Sequence, residues 1–141
     1  MKQSFILASL ISCFAHASDY STPYGTWRGQ TQYQAMFKSI SDPAAHIVTN
    51  LTIDISPQGK VIGTSTENGC KLLGIASPGS APFILSLNIT LTNCNYAGYN
   101  RTYNGQLAVI AKDKHAKFTL QAIDMTSGKA GSYTINATMR R

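Results

Sequence analysis

Acidic side chains are scarce in this sequence. Five aspartates and one glutamate stand against twelve lysines and arginines, and charged residues make up only 13% of the chain. Catalysis needs positioned titratable groups, and three histidines do little to make up the shortage. His46 lies beside a loop and His115 in a hairpin turn, where solvation is the ordinary outcome. Asp54 and Asp124 fall in strands and Glu67 in a turn, so nothing signals the carboxylate pair of a glycoside hydrolase. No GxSxG elbow, HExxH helix or phosphate-cradling glycine loop is present. No apolar run approaches the roughly 20 residues that a membrane-spanning helix needs. Helical periodicity, internal repeats and low-complexity tracts are also missing. These shortages argue against an enzyme and point to no cofactor.

The three cysteines are Cys13, Cys70 and Cys94. Met1-Lys2-Gln3 opens the chain, and an apolar run from Phe5 to Phe14 follows. A basic start and a short apolar stretch read as a secretory leader. Ala15-His16-Ala17 supplies small residues for cleavage before Ser18, giving residues 1–17 as leader and 18–141 as one mature domain. Leu10-Ile11-Ser12-Cys13 offers the alternative of a lipobox, with Cys13 as a lipid-carrying N-terminus. Either route leaves Cys70 and Cys94 as mutual partners. Export implies an oxidising compartment, so a disulfide is expected. A zinc site is disfavoured, because two thiolates with no nearby histidine supply half a tetrahedral shell.

Removing Lys2 leaves eleven basic residues against six acids, a net charge near +5. The cations are scattered, as on a solvated surface. The chain has no basic helix and no aromatic-basic platform, which makes nucleic acid an improbable partner. Sequons at Asn50, Asn88, Asn100 and Asn136 arise readily in strands rich in Asn and Thr, and the bacterial look of the leader gives them no role.

Strong period-two patterning fills the rest of the chain. Phe83, Leu85, Leu87, Ile89 and Leu91 alternate with Ile84, Ser86, Asn88, Thr90 and Thr92. Trp27, Thr31, Tyr33, Ala35 and Phe37 share one face of an earlier strand. Further strands are read from Ile47 to Ser56, Lys60 to Thr66, Cys70 to Ala76, Gly105 to Ala111, Phe118 to Ile123 and Tyr133 to Arg140. Ser39–Ala45 and Ser77–Pro82 read as loops. Turn chemistry separates the pieces at Ser56-Pro57-Gln58-Gly59, at Asn68-Gly69 and in Thr126–Lys129. Cys94 has the wrong parity for its strand, so either a bulge intervenes near Asn93 or the bond forms beyond the strand end. The fold expected is all-β: a single antiparallel up-and-down barrel of about eight strands, with a two-sheet sandwich as the alternative. A membrane barrel shares the alternation, but its strands would all be near ten residues long, and two of these are shorter.

Gly25-Thr26-Trp27 at the first strand resembles the GxW motif of lipocalins and their calycin relatives, avidins included. Gly59-Lys60-Val61-Ile62-Gly63-Thr64 is similar to a glycine-punctuated hairpin of avidin-type barrels. The resemblance implies a barrel with Trp27 as its plug and ligand entering at the other end. Trp27 is the single tryptophan, so the tryptophan-lined biotin pocket of avidins is absent.

The segment from Asn95 to Asn104 is the expected partner-binding region. Tyr96, Tyr99 and Tyr103 offer large rigid contact area, Asn100 adaptable hydrogen bonding, and Arg101 a forked donor. Small disulfide-pinned β proteins of this layout resemble periplasmic inhibitors and immunity proteins that neutralise envelope-attacking toxins. The expectation is therefore an exported, non-catalytic binding protein, periplasmic or secreted, with a protein partner. A lipocalin-type carrier of small apolar ligands and an outer-membrane-anchored lipoprotein are the alternatives.

Overall fold

The structure, a computed structural model, describes residues 22–110, 114–125 and 131–141. The leader and Cys13 lie outside these residues, as do Ala111 and the turn read over Thr126–Lys129. The described residues form nine strands: β1 (Gly25–Phe37), β2 (Ile40–Ser41), β3 (Ile47–Ile55), β4 (Lys60–Ser65), β5 (Lys71–Pro78), β6 (Ile84–Thr92), β7 (Thr102–Ile110), β8 (His115–Asp124) and β9 (Gly131–Arg140). All pairings are antiparallel, and β1 pairs with both β3 and β9. Eight strands thus close into an up-and-down barrel, with β2 a short flap on β1. Closure removes the exposed edges that an open sheet of this length would present.

Parity decides which way each side chain points. Leu85, Leu87, Ile89 and Leu91 are buried, as are Trp27, Thr31, Tyr33 and Ala35, and they meet the inward sets of the other strands in one core. The outward rows carry Gln30, Gln32, Asn50, Thr64, Asn88, Thr119 and Asn136. Ile62, Leu73 and Ile75 on β4 and β5 are outward and exposed as well, but along these polar rows the arrangement is the reverse of a membrane-spanning barrel, whose apolar band faces lipid. Barrel curvature needs places where neighbouring backbones approach closely, and glycine allows them. At Gly105 a Cβ would lie 1.8 Å from the carbonyl oxygen of Thr119 on the next strand, and at Gly74 one would lie 2.1 Å from that of Asn88.

Local readings differ at five places. Ser77 and Pro78, read as the start of a loop, extend β5 and pair with Ser86 and Leu85 of β6. Phe83, read as the first inward residue of its strand, precedes β6 and is exposed. His115, read as a turn residue, opens β8 opposite Ile110. In Asn68-Gly69, glycine alone takes positive φ, at +73°, and Asn68 is buried instead. The loop read over Ser39–Ala45 holds β2 and a 3-10 turn, Pro43–Ala45, capped by Asp42 Oδ1 accepting from the Ala44 amide at 3.0 Å.

The Cys70–Cys94 disulfide is formed. It resolves the parity question: β6 ends at Thr92, Asn93 turns with φ +62°, and Cys94 follows beyond the strand. Replacing both cysteines with alanine is expected to cost about 3 kcal/mol, the chain-entropy value for a loop of this length. A denaturant midpoint equal to the parent's, at unchanged slope, would show that the crosslink adds no stability.

Candidate functional site

The barrel has two unlike ends. At the first, where β1 begins and β9 finishes, Trp27 is buried and its Nε1 donates to the Pro23 carbonyl at 2.8 Å. The Arg141 guanidinium lies over the indole, 4.4 Å from the ring centroid, and Arg141 Nη2 donates to the Tyr24 carbonyl at 2.9 Å. Among the described residues, the loops here are short, with Ser56–Gly59 closed by Gly59 in a left-handed conformation.

The second end carries the segment that the sequence marked for partner contact. Asn95–Asn104 divides in two. Tyr99 and Tyr103 are wholly buried, which corrects the expectation that they present contact surface. Both complete the core because their phenols find partners inside: Tyr99 Oη donates to the Ala45 carbonyl at 2.6 Å, and Tyr103 Oη to the Tyr99 carbonyl at 3.0 Å. Tyr99 meets Tyr33 and Tyr133 edge-on, with centroids 5.2 and 5.9 Å away, and leans on Tyr96 at 5.2 Å. Edge-to-face pairing of this kind adds to plain area burial. Four tyrosine rings therefore cap this end of the barrel.

The remaining members face outward in part. Tyr96 is half-buried and its Oη donates to Asp42 Oδ2 at 2.8 Å. Asn100 is exposed, although its Oδ1 accepts from the Cys94 amide at 2.9 Å and so ties the loop to the disulfide. Arg101 is half-buried over the Tyr133 ring, 3.9 Å from its centroid. It donates from Nε to the Gly98 carbonyl at 2.7 Å and pairs with Asp124 at 3.3 Å.

Beside this cap lies the part that sequence reasoning missed. Lys38 and Ser39 take φ of +50° and +64°, and Phe37 pairs with Ile40 across them. The result is a two-residue hairpin of the type usually made by Asn-Gly. Left-handed backbone costs a non-glycine residue roughly 1–2 kcal/mol. What the hairpin holds out is Ile40, 72% exposed. Phe37, Lys38, Ile40, Asp42 and Tyr96 line a cleft of about 600 Å³. A smaller groove continues from it past Met36, Ile123 and Ser132, and Ile123 and Met125 are 72% and 74% exposed. The one available clue was an isoleucine stranded among polar loop residues, in Lys38-Ser39-Ile40-Ser41-Asp42.

Burial raises the hydroxyls of Tyr96, Tyr99 and Tyr103 above the ordinary tyrosine value near 10. Tyr96 reaches about 12, first through desolvation and then through its hydrogen bond to Asp42 and that residue's charge. Tyr99 and Tyr103 shift in the same direction, again mainly by desolvation. Above pH 10 an unfolded tyrosine gives up its proton while the native one keeps it, so rising pH favours the unfolded chain. This contribution to stability is intact below pH 10 and is lost as pH climbs toward 12. Urea midpoints measured at pH 8, 10 and 11.5 are expected to fall in that order, and less steeply in Tyr96→Phe. Equal midpoints across the series would contradict the burial of these phenols.

Among the described residues, no cluster of three or more His, Cys, Asp or Glu side chains forms. Comparison of the chain with protein-family profiles, curated proteins and solved structures finds no match.

Proposed function

We propose that the chain is an exported, non-catalytic binding protein of a bacterial envelope, an inhibitor or immunity protein that seats a protein partner on the tyrosine-capped end of its barrel. The observation carrying this reading is the packed interior. Side chains lining an open ligand cavity keep surface within reach of solvent, whereas Trp27, Leu51, Ile89, Leu120 and Ile135 each have at most 1% exposed and the rest of the buried strand core no more than 5%. Recognition is thereby left to the outer surface. Exposed apolar residues rimmed by polar ones mark interaction sites, and the Ile40 cleft is bordered by Lys38 and Asp42. Its neighbour Tyr96 supplies an aromatic anchor of the sort that dominates interface energetics. The disulfide supports the oxidising compartment that export implies.

The test uses the chain from Ser18 onward, immobilised and exposed to periplasmic extract of its own host. One protein should be retained, and Ile40→Asp or Tyr96→Ala should release it without lowering the melting temperature by more than a few degrees. Retention unaffected by both substitutions would move the contact elsewhere. Tight uptake of a fatty acid or apolar dye with no protein retained would favour the carrier of lipocalin type. Lipid labelling at Cys13 would favour the anchored lipoprotein.

A further inference from the structure

The outer wall of β8, β9 and β1 carries a second surface, at the opposite end from the Ile40 cleft. Arg28 on β1 is the direct cross-strand partner of Arg140 on β9. On the other side of β9, Lys117 pairs with Thr138, one outward position from Arg140. All three cations are exposed, and none forms an ion pair among the described residues. His115 opposes Arg140 on β8. Among the described residues, the nearest acid by register is Asp54 on β3, which accepts from Thr26 Oγ1 at 2.9 Å. Like charges directly opposite one another destabilise a sheet, so this row gains from an anion laid across it.

The cations adjoin a shallow groove of about 480 Å³. Gln30, Gln32, Thr119, Asn136 and Thr138 contribute its polar lining, and Gln32–Asn136–Thr119 forms one continuous row across the three strands. Amide and hydroxyl side chains in such rows are donors and acceptors together, as needed for a ligand whose surface is mainly hydroxyl. Val48 is the one exposed aliphatic side chain at the groove, and no aromatic ring is exposed there to stack a base. Paired guanidiniums suit planar or tetrahedral oxyanions, which they bind bidentately.

We infer that the β8–β9–β1 wall binds an acidic polysaccharide, its carboxylate or sulfate groups held by Arg28, Arg140 and Lys117 and its hydroxyls by the neighbouring amide row. The site is separate from the protein-binding end and does not rest on that reading.

The probes are polygalacturonate, dextran sulfate, uncharged dextran of matched length and a short DNA duplex, each titrated into the purified mature chain. Both acidic polysaccharides should bind, with affinity falling about tenfold or more between 50 and 200 mM salt, as expected when a few cations displace counterions. Arg28→Gln with Arg140→Gln should weaken binding about tenfold or more, and Lys117→Gln alone by a smaller factor. Lys60→Gln with Lys71→Gln removes equal charge from the far wall and should bind as the parent does. The inference is overturned if neither acidic polysaccharide binds, if uncharged dextran binds as well, if the far-wall variant loses as much as the arginine variant, or if the duplex binds as tightly as the polysaccharides. Because both variants alter exposed side chains, an unchanged near-ultraviolet circular dichroism spectrum verifies folding. Should the arginine double variant fail that check, Lys117→Gln against the far-wall variant decides the matter.

Discussion

Gly105→Val is expected to destabilise the barrel by 3 kcal/mol or more, at or beyond the upper end of ordinary overpacking. The first added carbon would lie 1.8 Å from the Thr119 carbonyl oxygen and 2.9 Å from the Leu120 Cα. Both obstacles are backbone atoms of β8, so no rotamer change relieves the clash. Relief requires β7 and β8 to separate, and they are joined along the whole register from Asn104–Gln121 to Ile110–His115. Gln106→Val is the matched control. It sits next along β7 with its side chain exposed, and an isolated surface change of this kind usually stays within about 0.5 kcal/mol. Denaturant melts of the two variants should differ sharply. Equal midpoints would mean that β7 and β8 do not approach as closely as described.

Tyr99→Ala should have the other large effect, about 4 kcal/mol, in the range for removing a fully buried aromatic side chain. The residue belongs to an irregular loop, yet it closes the core against Tyr33, Tyr96 and Tyr133. Tyr99→Phe keeps the ring and loses only the hydroxyl that bonds the Ala45 carbonyl. It should cost about 1–3 kcal/mol, the range for a hydrogen bond whose buried partner is left unsatisfied. A large loss for both variants would assign the stability to the hydrogen bond, and a small loss for both would remove Tyr99 from the core. The distinction matters for binding experiments. Any loss of partner capture in Tyr99→Ala would reflect a loosened barrel end, so Ile40 and Tyr96 are the positions that probe contact.

How far these features can be read from the residues follows from the range of the physics involved. Alternation is local: in Leu85, Leu87, Ile89 and Leu91 every second side chain must share a face, and burial then fixes the face as inward. All eight barrel strands are legible on that basis, and so is the closure that short antiparallel connections favour. The disulfide is legible from the cysteine count and from the export that the leader leads one to expect. A residue outside a strand has no such rule. Tyr99 and Asn100 are adjacent in a 3-10 turn and its cap, one buried and one exposed, and only the position of Ala45, far away in sequence, explains which. The β1–β2 hairpin escapes notice because Lys38-Ser39 lacks the glycine or asparagine that normally announces left-handed backbone. The cationic wall escapes notice for another reason. Arg28 and Arg140 are separated by nearly the whole chain and become neighbours only through the pairing of β1 with β9.

That same pairing governs when the protein can become itself. A growing polypeptide that has not yet delivered Gly131–Arg140 holds β1 and β8 as two bare margins, each with a row of unused amides and carbonyls. The final seam must therefore wait for the last ten strand residues, and contacts so distant along the chain slow the search for the native state. Until then the sheet can recruit a stranger's strand as readily as its own. Shortening the C-terminus by a few residues should accordingly show itself less as a softer barrel than as clumping during synthesis.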